Sequence, residues 1–237
     1  ITGLFYLVFW SCLAVLCAVC YMVLMATIDE HRPTYTLGDS LIGANPGLGF
    51  RPLASDDAEH PLISFVTNND TQKKFWIDRL NQFTEVYKDK NKLKNAGRNQ
   101  VICDYGNPPA EGKVCAVDIS QWGPCSESNG YGYNNSSPCV FIKLNRIFDW
   151  VPEYYDNVDS LPDDMPNDLK DHIKQFGKSK LNTVWVSCRG ESSHDREAIN
   201  SVEYYPKIRG FPGYYYPYRF HPEYLSPVVA VRFQRPK

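Results

Sequence analysis

The first 28 of the 237 residues contain no Asp, Glu, Lys, Arg or His. Every charge lies beyond Ile28, so the stretch cannot be the solvated surface of a soluble domain. A basic excess is missing as well. Lys plus Arg total 25 against 27 Asp plus Glu, a formal net charge of −2. That excludes the electrostatic footprint of a nucleic-acid-binding protein, and no nucleic-acid partner is expected. With 43% hydrophobic residues the chain also lacks the composition of a disordered protein. The usual catalytic signatures are absent: no G-x-S-x-G, no phosphate-binding G-x-x-x-x-G-K and no H-E-x-x-H. His31, His60, His172, His194 and His221 are scattered, and no two stand at metal-ligand spacing. No catalytic residue, metal site or cofactor is therefore assigned, and the balance moves toward binding or assembly.

Several local patterns have chemical potential but read more simply. His194-Asp195 has the makings of a base and its orienter, but its charged neighbours read as a surface loop. Asp56-Asp57-Ala58-Glu59 and Asp163-Asp164 read as solvated loops rather than cation sites. Gly130-Tyr131-Gly132 has neither a strand before it nor a helix after it, and reads as a turn.

What is present begins with the uncharged run from Gly3 to Ile28, broken only by Ser11 and Thr27. A bilayer core needs about 20 helical residues. A cleaved signal has an apolar core of only about 7–15. Residues 1–28 are expected to form a permanent signal-anchor helix in contact with membrane lipid. The following flank, Asp29-Glu30-His31-Arg32-Pro33, has no Lys/Arg cluster and is not a typical cytoplasmic flank. Acceptor sequons at Asn69, Asn134 and Asn135 agree with a body outside the cell. Crowding leaves room for only one modification at the adjacent pair. Phe5, Tyr6, Phe9 and Trp10 cluster on the span, and Ser11, Ala14 and Ala18 form a small-residue stripe that lets a partner helix approach.

Of eight cysteines, Cys12, Cys17 and Cys20 lie in the span and read as small hydrophobes. The outer five are Cys103, Cys115, Cys125, Cys139 and Cys188. An outside location favours disulfides. Several pairings are open; the short loops Cys103–Cys115 and Cys125–Cys139 are the simplest. Each would contribute roughly 3 kcal/mol by chain entropy. Cys188 would be left over.

Residues 29–61 read as a membrane-proximal stalk, with Thr34 to Pro61 rich in Gly and Pro. Trp76, Leu80, Phe83 and Tyr87 mark an amphipathic helix from about Thr71 to Asn91, with Asp70 as its N-cap and a solvated face that includes Lys73, Asp78, Glu85 and Lys88. Val140 to Leu144, Thr183 to Ser187, Val202 to Tyr205 and Val228 to Phe233 read as strands, and the short runs between turn signals suggest a sandwich. Residues 62–237 are thus expected to form one outer α+β domain. It reads as truncated, since Arg235-Pro236-Lys237 follows a strand-like run directly. Gly210-Phe-Pro-Gly-Tyr-Tyr-Tyr-Pro-Tyr218 packs rigid aromatics and prolines, a composition suited to protein contact.

Taken in order, these pieces resemble the β-subunit family of the sodium/potassium-transporting ATPase and related animal potassium pumps. The most specific are Pro138 to Ile147 and Tyr215-Tyr216-Pro217-Tyr218, followed by Pro-x-Tyr-Leu-x-Pro and the Val-Val-Ala-Val-x-Phe run ending at Phe233. Phe83-x-x-x-Tyr-Lys-Asp89, the Cys115/Cys125 spacing and Phe5-Tyr6 with Phe9 support them. The resemblance implies a type II, single-span plasma-membrane glycoprotein with an immunoglobulin-like sandwich. It implies disulfides in sequence order, Cys103–Cys115 and Cys125–Cys139, and a Cys188 partner outside this chain. It further implies a non-catalytic subunit that helps the catalytic α subunit fold, assemble and reach the plasma membrane, and that tunes potassium occlusion. Tyr6, Phe9 and Trp10 would face the α spans, with Phe5 beside them. Tyr215, Tyr216, Pro217 and Tyr218 would meet an extracellular α loop. A small single-span regulatory subunit is a further partner the family allows. Trp10, Ser11, Trp122 and Glu127 depart from the family's common residues and, with the unusual stalk, suggest an invertebrate member. The alternatives are a proton/potassium pump β subunit, a type II adhesion glycoprotein, and a type II glycosyltransferase; the last lacks an Asp-x-Asp motif here.

Overall fold

A computed structural model describes residues 2–29, 32–54, 62–199 and 201–234. The chain divides into two units, Ile1–Ala44 and Asn45–Lys237.

In the first unit, helix α1 spans Thr2–Thr27. Its 26 residues measure about 39 Å at the α-helical rise, enough to cross a bilayer core with tilt. It contains neither Pro nor charge, and none of its residues is buried. A core helix of a soluble domain would be mostly buried; a span meets lipid on every free face. Ser11 Oγ donates to the Leu7 carbonyl at 2.8 Å and Thr27 Oγ1 to Leu24 at 2.7 Å, so both hydroxyls are satisfied within the helix.

The second unit is organised by one antiparallel sheet in the order β1-β4-β8-β6. Its strands are β1 (Leu48–Arg51), β4 (Cys139–Leu144), β6 (Ser201–Tyr205) and β8 (Val229–Gln234). Phe141 pairs with Ala230 on one side and Arg51 on the other. The period of two sends Phe141 and Ala230 to one face, and Ile142, Val229 and Val231 to the other. The first face packs on α2 (Asp70–Lys88) in a core holding Trp76, Leu80, Trp122, Tyr131 and Tyr133. The opposite face packs on Val186 and Phe211, beside and within the two-stranded ribbon of β5 (Thr183–Trp185) and β7 (Gly210–Pro212). Strands β2 (Gln100–Val101) and β3 (Val114–Cys115) form a short parallel pair. Helices α3 (Asn167–Phe176) and α4 (Ser193–Ala198) complete the regular elements.

This is a β-rich domain, as expected, built among the described residues on one four-stranded sheet. A helix covers one face of the main sheet and a two-stranded ribbon the other. Much of 90–135 runs as 3-10 turns rather than strands. Nor is α2 the one helix: α3 buries Leu169 and Ile173, an i, i+4 pair hidden from a sequence reading by flanking Pro and Asp. Leu48–Arg51, in the stretch read as stalk, is one of the sheet's two edge strands. The N-cap of α2 is Asn69, whose side chain accepts from the Gln72 N–H at 3.2 Å. Asp70 sits inside the first turn, where it pairs with Lys73 at 2.6 Å. Lys88 leaves the expected solvated face, reaching Glu127 at 2.7 Å and the Tyr131 hydroxyl at 3.0 Å.

Candidate functional site

Two aromatic segments carry the candidate binding function, one in each unit. On α1 the four-residue spacing brings Phe5 and Phe9 into a stack with centroids 6.3 Å apart. Tyr6 and Trp10 meet them edge-on at 5.6 and 5.8 Å. All four rings are about half exposed or more. They form a stiff, preassembled ladder on which a second apolar helix gains contact with little rotamer entropy to lose.

In the second unit the segment from Gly210 to Pro227 is held at many points. Gly210 admits no side chain: a Cβ there would stand 2.6 Å from both Thr183 Cγ2 and the Val184 carbonyl oxygen. The Tyr215 hydroxyl donates to the Ala116 carbonyl at 3.0 Å. Tyr214 packs between Tyr105, edge-on at 5.4 Å, and Tyr215, tilted at 4.7 Å. Tyr216 meets Trp150 edge-on at 5.4 Å, and its hydroxyl is buried without a hydrogen-bond partner. Burial pushes the Tyr215 and Tyr216 phenols well above the usual tyrosine range. It pushes Tyr105 up to about 12. These hydroxyls stay protonated at physiological pH, so the segment presents no phenolate to a partner. Tyr218 packs on Tyr224 at 4.9 Å, and the Arg146 guanidinium lies 5.4 and 5.3 Å from these two rings. Arg146 also donates to Ser226 Oγ and the Tyr224 carbonyl, both at 3.1 Å.

The four residues expected to meet a partner, Tyr215, Tyr216, Pro217 and Tyr218, are therefore half-buried and largely committed to the domain's own packing. The freely exposed aromatic next to them is Phe220, 52% exposed and packed on Phe148 at 4.9 Å. Sequence reading passed over it, although it continues the same aromatic run by two residues.

Also missed was Glu223, which is fully buried. Its carboxylate accepts from the Asn99 N–H at 2.7 Å and from the Asn99 and Asn95 carboxamides at 2.8 and 3.3 Å. It ties the aromatic segment to the turn after α2. Burial alone would raise this carboxyl; the hydrogen bonds from Asn99 and Asn95, with His221 nearby, outweigh it and hold the group below its usual value. The sign follows from linkage. A depressed folded value gives stability that is present above the unfolded value of about 4.3 and is lost as pH falls through the folded one. Glu223→Gln is expected to lower the thermal midpoint at pH 7, since its amide would aim N–H donors at N–H donors, and to flatten the acid limb of the stability curve. Thermal melts from pH 7 to pH 3 check this; parallel wild-type and variant curves would sink it.

The other candidates fall outside any site. Asp195 accepts from the Ser192 N–H at 3.0 Å and its hydroxyl at 2.7 Å in a capping box, so it does not orient His194. Gly132 is a tight turn: a Cβ there would stand 2.1 Å from the Ser137 carbonyl oxygen. Asp56, Asp57 and Glu59 lie outside the described residues. Among the described residues no three His, Cys, Asp or Glu gather as a metal site. Cys103–Cys115 and Cys125–Cys139 are disulfides; Cys12, Cys17, Cys20 and Cys188 are free thiols. Cys188 is half-buried, and burial raises its thiol. Its N–H donates to the Tyr204 hydroxyl at 2.7 Å.

The family model described as sodium/potassium ATPase beta chain matches residues 1–237. The chain belongs to the sodium/potassium ATPase β-chain family. It is 49% identical to sodium/potassium-transporting ATPase subunit beta-2 of Drosophila melanogaster over 99% of its length and 74% of that protein. Identity to the Drosophila melanogaster beta-1 subunit is 40%, over 98% of the chain and 72% of that protein. Against the Homo sapiens beta-2 subunit it is 30%, over 97% and 71%. The higher insect identities place it among the invertebrate β chains. The aromatic ladder, the disulfides and the Tyr214 to Phe220 segment are thus parts of a β chain, an accessory subunit of a cation pump.

Proposed function

We propose that the chain is the non-catalytic β subunit of a sodium/potassium-transporting ATPase. It pairs with the catalytic α subunit, assists its folding, assembly and delivery to the plasma membrane, and tunes potassium occlusion. The observation that carries this reading is the family match over the whole chain. The exposed ladder on α1 supplies a physical means of pairing. In this reading residues 1–28 anchor the chain in lipid in type II orientation, with the second unit outside the cell. Phe5, Tyr6, Phe9 and Trp10 face the α spans or a small single-span regulatory subunit. Phe220, with Tyr218 behind it, meets an extracellular α loop. Ion transport and ATP hydrolysis belong to α.

Purification of the tagged chain from animal membranes in mild detergent is expected to recover a multi-span P-type ATPase in equal amount. The partner's type would separate a sodium/potassium from a proton/potassium pump. Joint substitution of Phe5, Phe9 and Trp10 by Leu preserves an apolar span but removes the rings, and is expected to lower recovery at least tenfold, about 1.4 kcal/mol. Recovery of the chain alone would favour the adhesion reading.

A further inference from the structure

We propose that Asn69 and Asn135 carry N-linked glycans and that Asn134 does not. The inference rests on the outward orientation proposed above and adds which side chains the fold leaves available. An N-glycan is attached to the carboxamide nitrogen, so that nitrogen must have space in the folded domain.

Asn69 meets the condition while doing a second job. It is exposed, and its Oδ1 caps α2 by accepting from the Gln72 N–H. The cap uses the oxygen and leaves Nδ2 for the sugar, so capping and glycosylation coexist on one side chain.

Asn134 and Asn135 are both exposed and differ in what the Asn134 carboxamide lies against. The chain from Ser126 to Ser137 is a succession of tight turns, closed by Tyr131 N–H to the Ser126 carbonyl and Ser137 N–H to the Gly132 carbonyl, both at 3.0 Å. Gly130 sits in the left-handed region at φ +55°, and the Asn134 carboxamide lies directly over it. A Cβ on Gly130 would stand 2.5 Å from Asn134 Nδ2 and 3.2 Å from Ile77 Cδ1. A sugar on that nitrogen would have to enter this contact or pull Asn134 away from the turn. That turn holds Tyr131 and Tyr133, both fully buried in the core under the sheet. Among the described residues neither carboxamide makes a hydrogen bond; the Asn135 backbone carbonyl accepts from Ser137 Oγ at 3.4 Å. A glycan on Asn135 displaces nothing, and once present it crowds Asn134.

The test is site mapping on the full chain made in insect or mammalian cells. Enzymatic deglycosylation in heavy-oxygen water converts each occupied Asn into labelled Asp. Label is expected at 69 and 135 and not at 134. Ser136→Ala removes only the Asn134 sequon and should leave the glycan count unchanged. Ser137→Ala removes only the Asn135 sequon and should lose one glycan. Label at 134, or a full glycan count in Ser137→Ala, overturns the choice between the neighbours while leaving the orientation standing. No label at any of the three overturns the orientation and this inference with it. Asn69→Asp should lose a glycan yet keep the thermal midpoint, whereas Asn69→Ala should lose both the glycan and about 2–4 °C.

Discussion

Phe141→Ala is expected to destabilise the outer domain by about 3–5 kcal/mol. Phe141 lies at the centre of the sheet, between Arg51 of β1 and Ala230 of β8, with no exposed surface. Its ring meets Trp122 at 4.9 Å, Tyr131 at 5.8 Å and Phe83 at 6.0 Å. It is the common neighbour of α2, of the 3-10 turn carrying Trp122 and of the turn carrying Tyr131. Truncation removes the apolar transfer energy and leaves a cavity that three separately anchored elements cannot jointly close. A domain of this class has only about 5–15 kcal/mol in hand. For its size the expected fall in thermal midpoint is roughly 6–20 °C. Phe141→Leu retains most of the volume and is expected to lose about 1.5 kcal/mol or less. Calorimetric melts of the two variants decide the matter; equal, small shifts would show that the core relaxes around the site. In cells, Phe141→Ala should also reduce delivery of the α partner, because a subunit that does not fold cannot assist one that must.

The parts of this molecule legible in the sequence were those written in local pattern. Absence of charge marked α1. The four-residue rhythm of Trp76, Leu80, Phe83 and Tyr87 marked α2, which starts one residue earlier than read because Asn69 rather than Asp70 supplies the cap, and stops three residues earlier because the backbone turns extended at Asp89. Alternating apolar runs marked β4, β5, β6 and β8. Pairings between distant residues left no local trace. Glu223 reaches Asn99 across 124 residues, and the Tyr131 hydroxyl reaches Asn81 and Thr84 at 2.9 Å across about half that distance. Non-glycine residues in the left-handed region, such as Ala96 and Tyr131, defeat turn rules built on Gly and Asn. Hence the 3-10 turns that fill much of the stretch between α2 and β4 show no local pattern in the sequence. Composition alone marked Tyr215 to Tyr218 as a contact segment. It carried no sign that those rings would be spent inside the domain and that Phe220 would be left outside.

The two disulfides are expected to differ in what they hold, although their loops are nearly equal, with separations of 12 and 14 residues. Chain entropy assigns each about 3 kcal/mol. Cys125 and Cys139 are fully buried in the core that contains Trp122 and Phe141, and their loop encloses the turn bearing Tyr131 and Tyr133. Cys103, by contrast, is half-buried, and its bond joins segments around the two-residue strands β2 and β3. Cys125→Ala with Cys139→Ala therefore frees the turn and also opens the core. Cys103→Ala with Cys115→Ala loosens a short parallel pair that α2 does not depend on. The first pair of substitutions is expected to lower the thermal midpoint by at least 6 °C, on about 3 kcal/mol at about 2 °C per kcal/mol, and by more than the second. Under mild reductant the Cys103–Cys115 bond should open first, because Cys103 is only half-buried, although Cys115 is buried, and a thiolate must reach one sulfur to attack it. Timed alkylation followed by peptide mapping reads that order. If Cys125–Cys139 opened first, or if the two double variants melted together, the core around Phe141 would not be shielding its disulfide, and the larger effect assigned to it would fail.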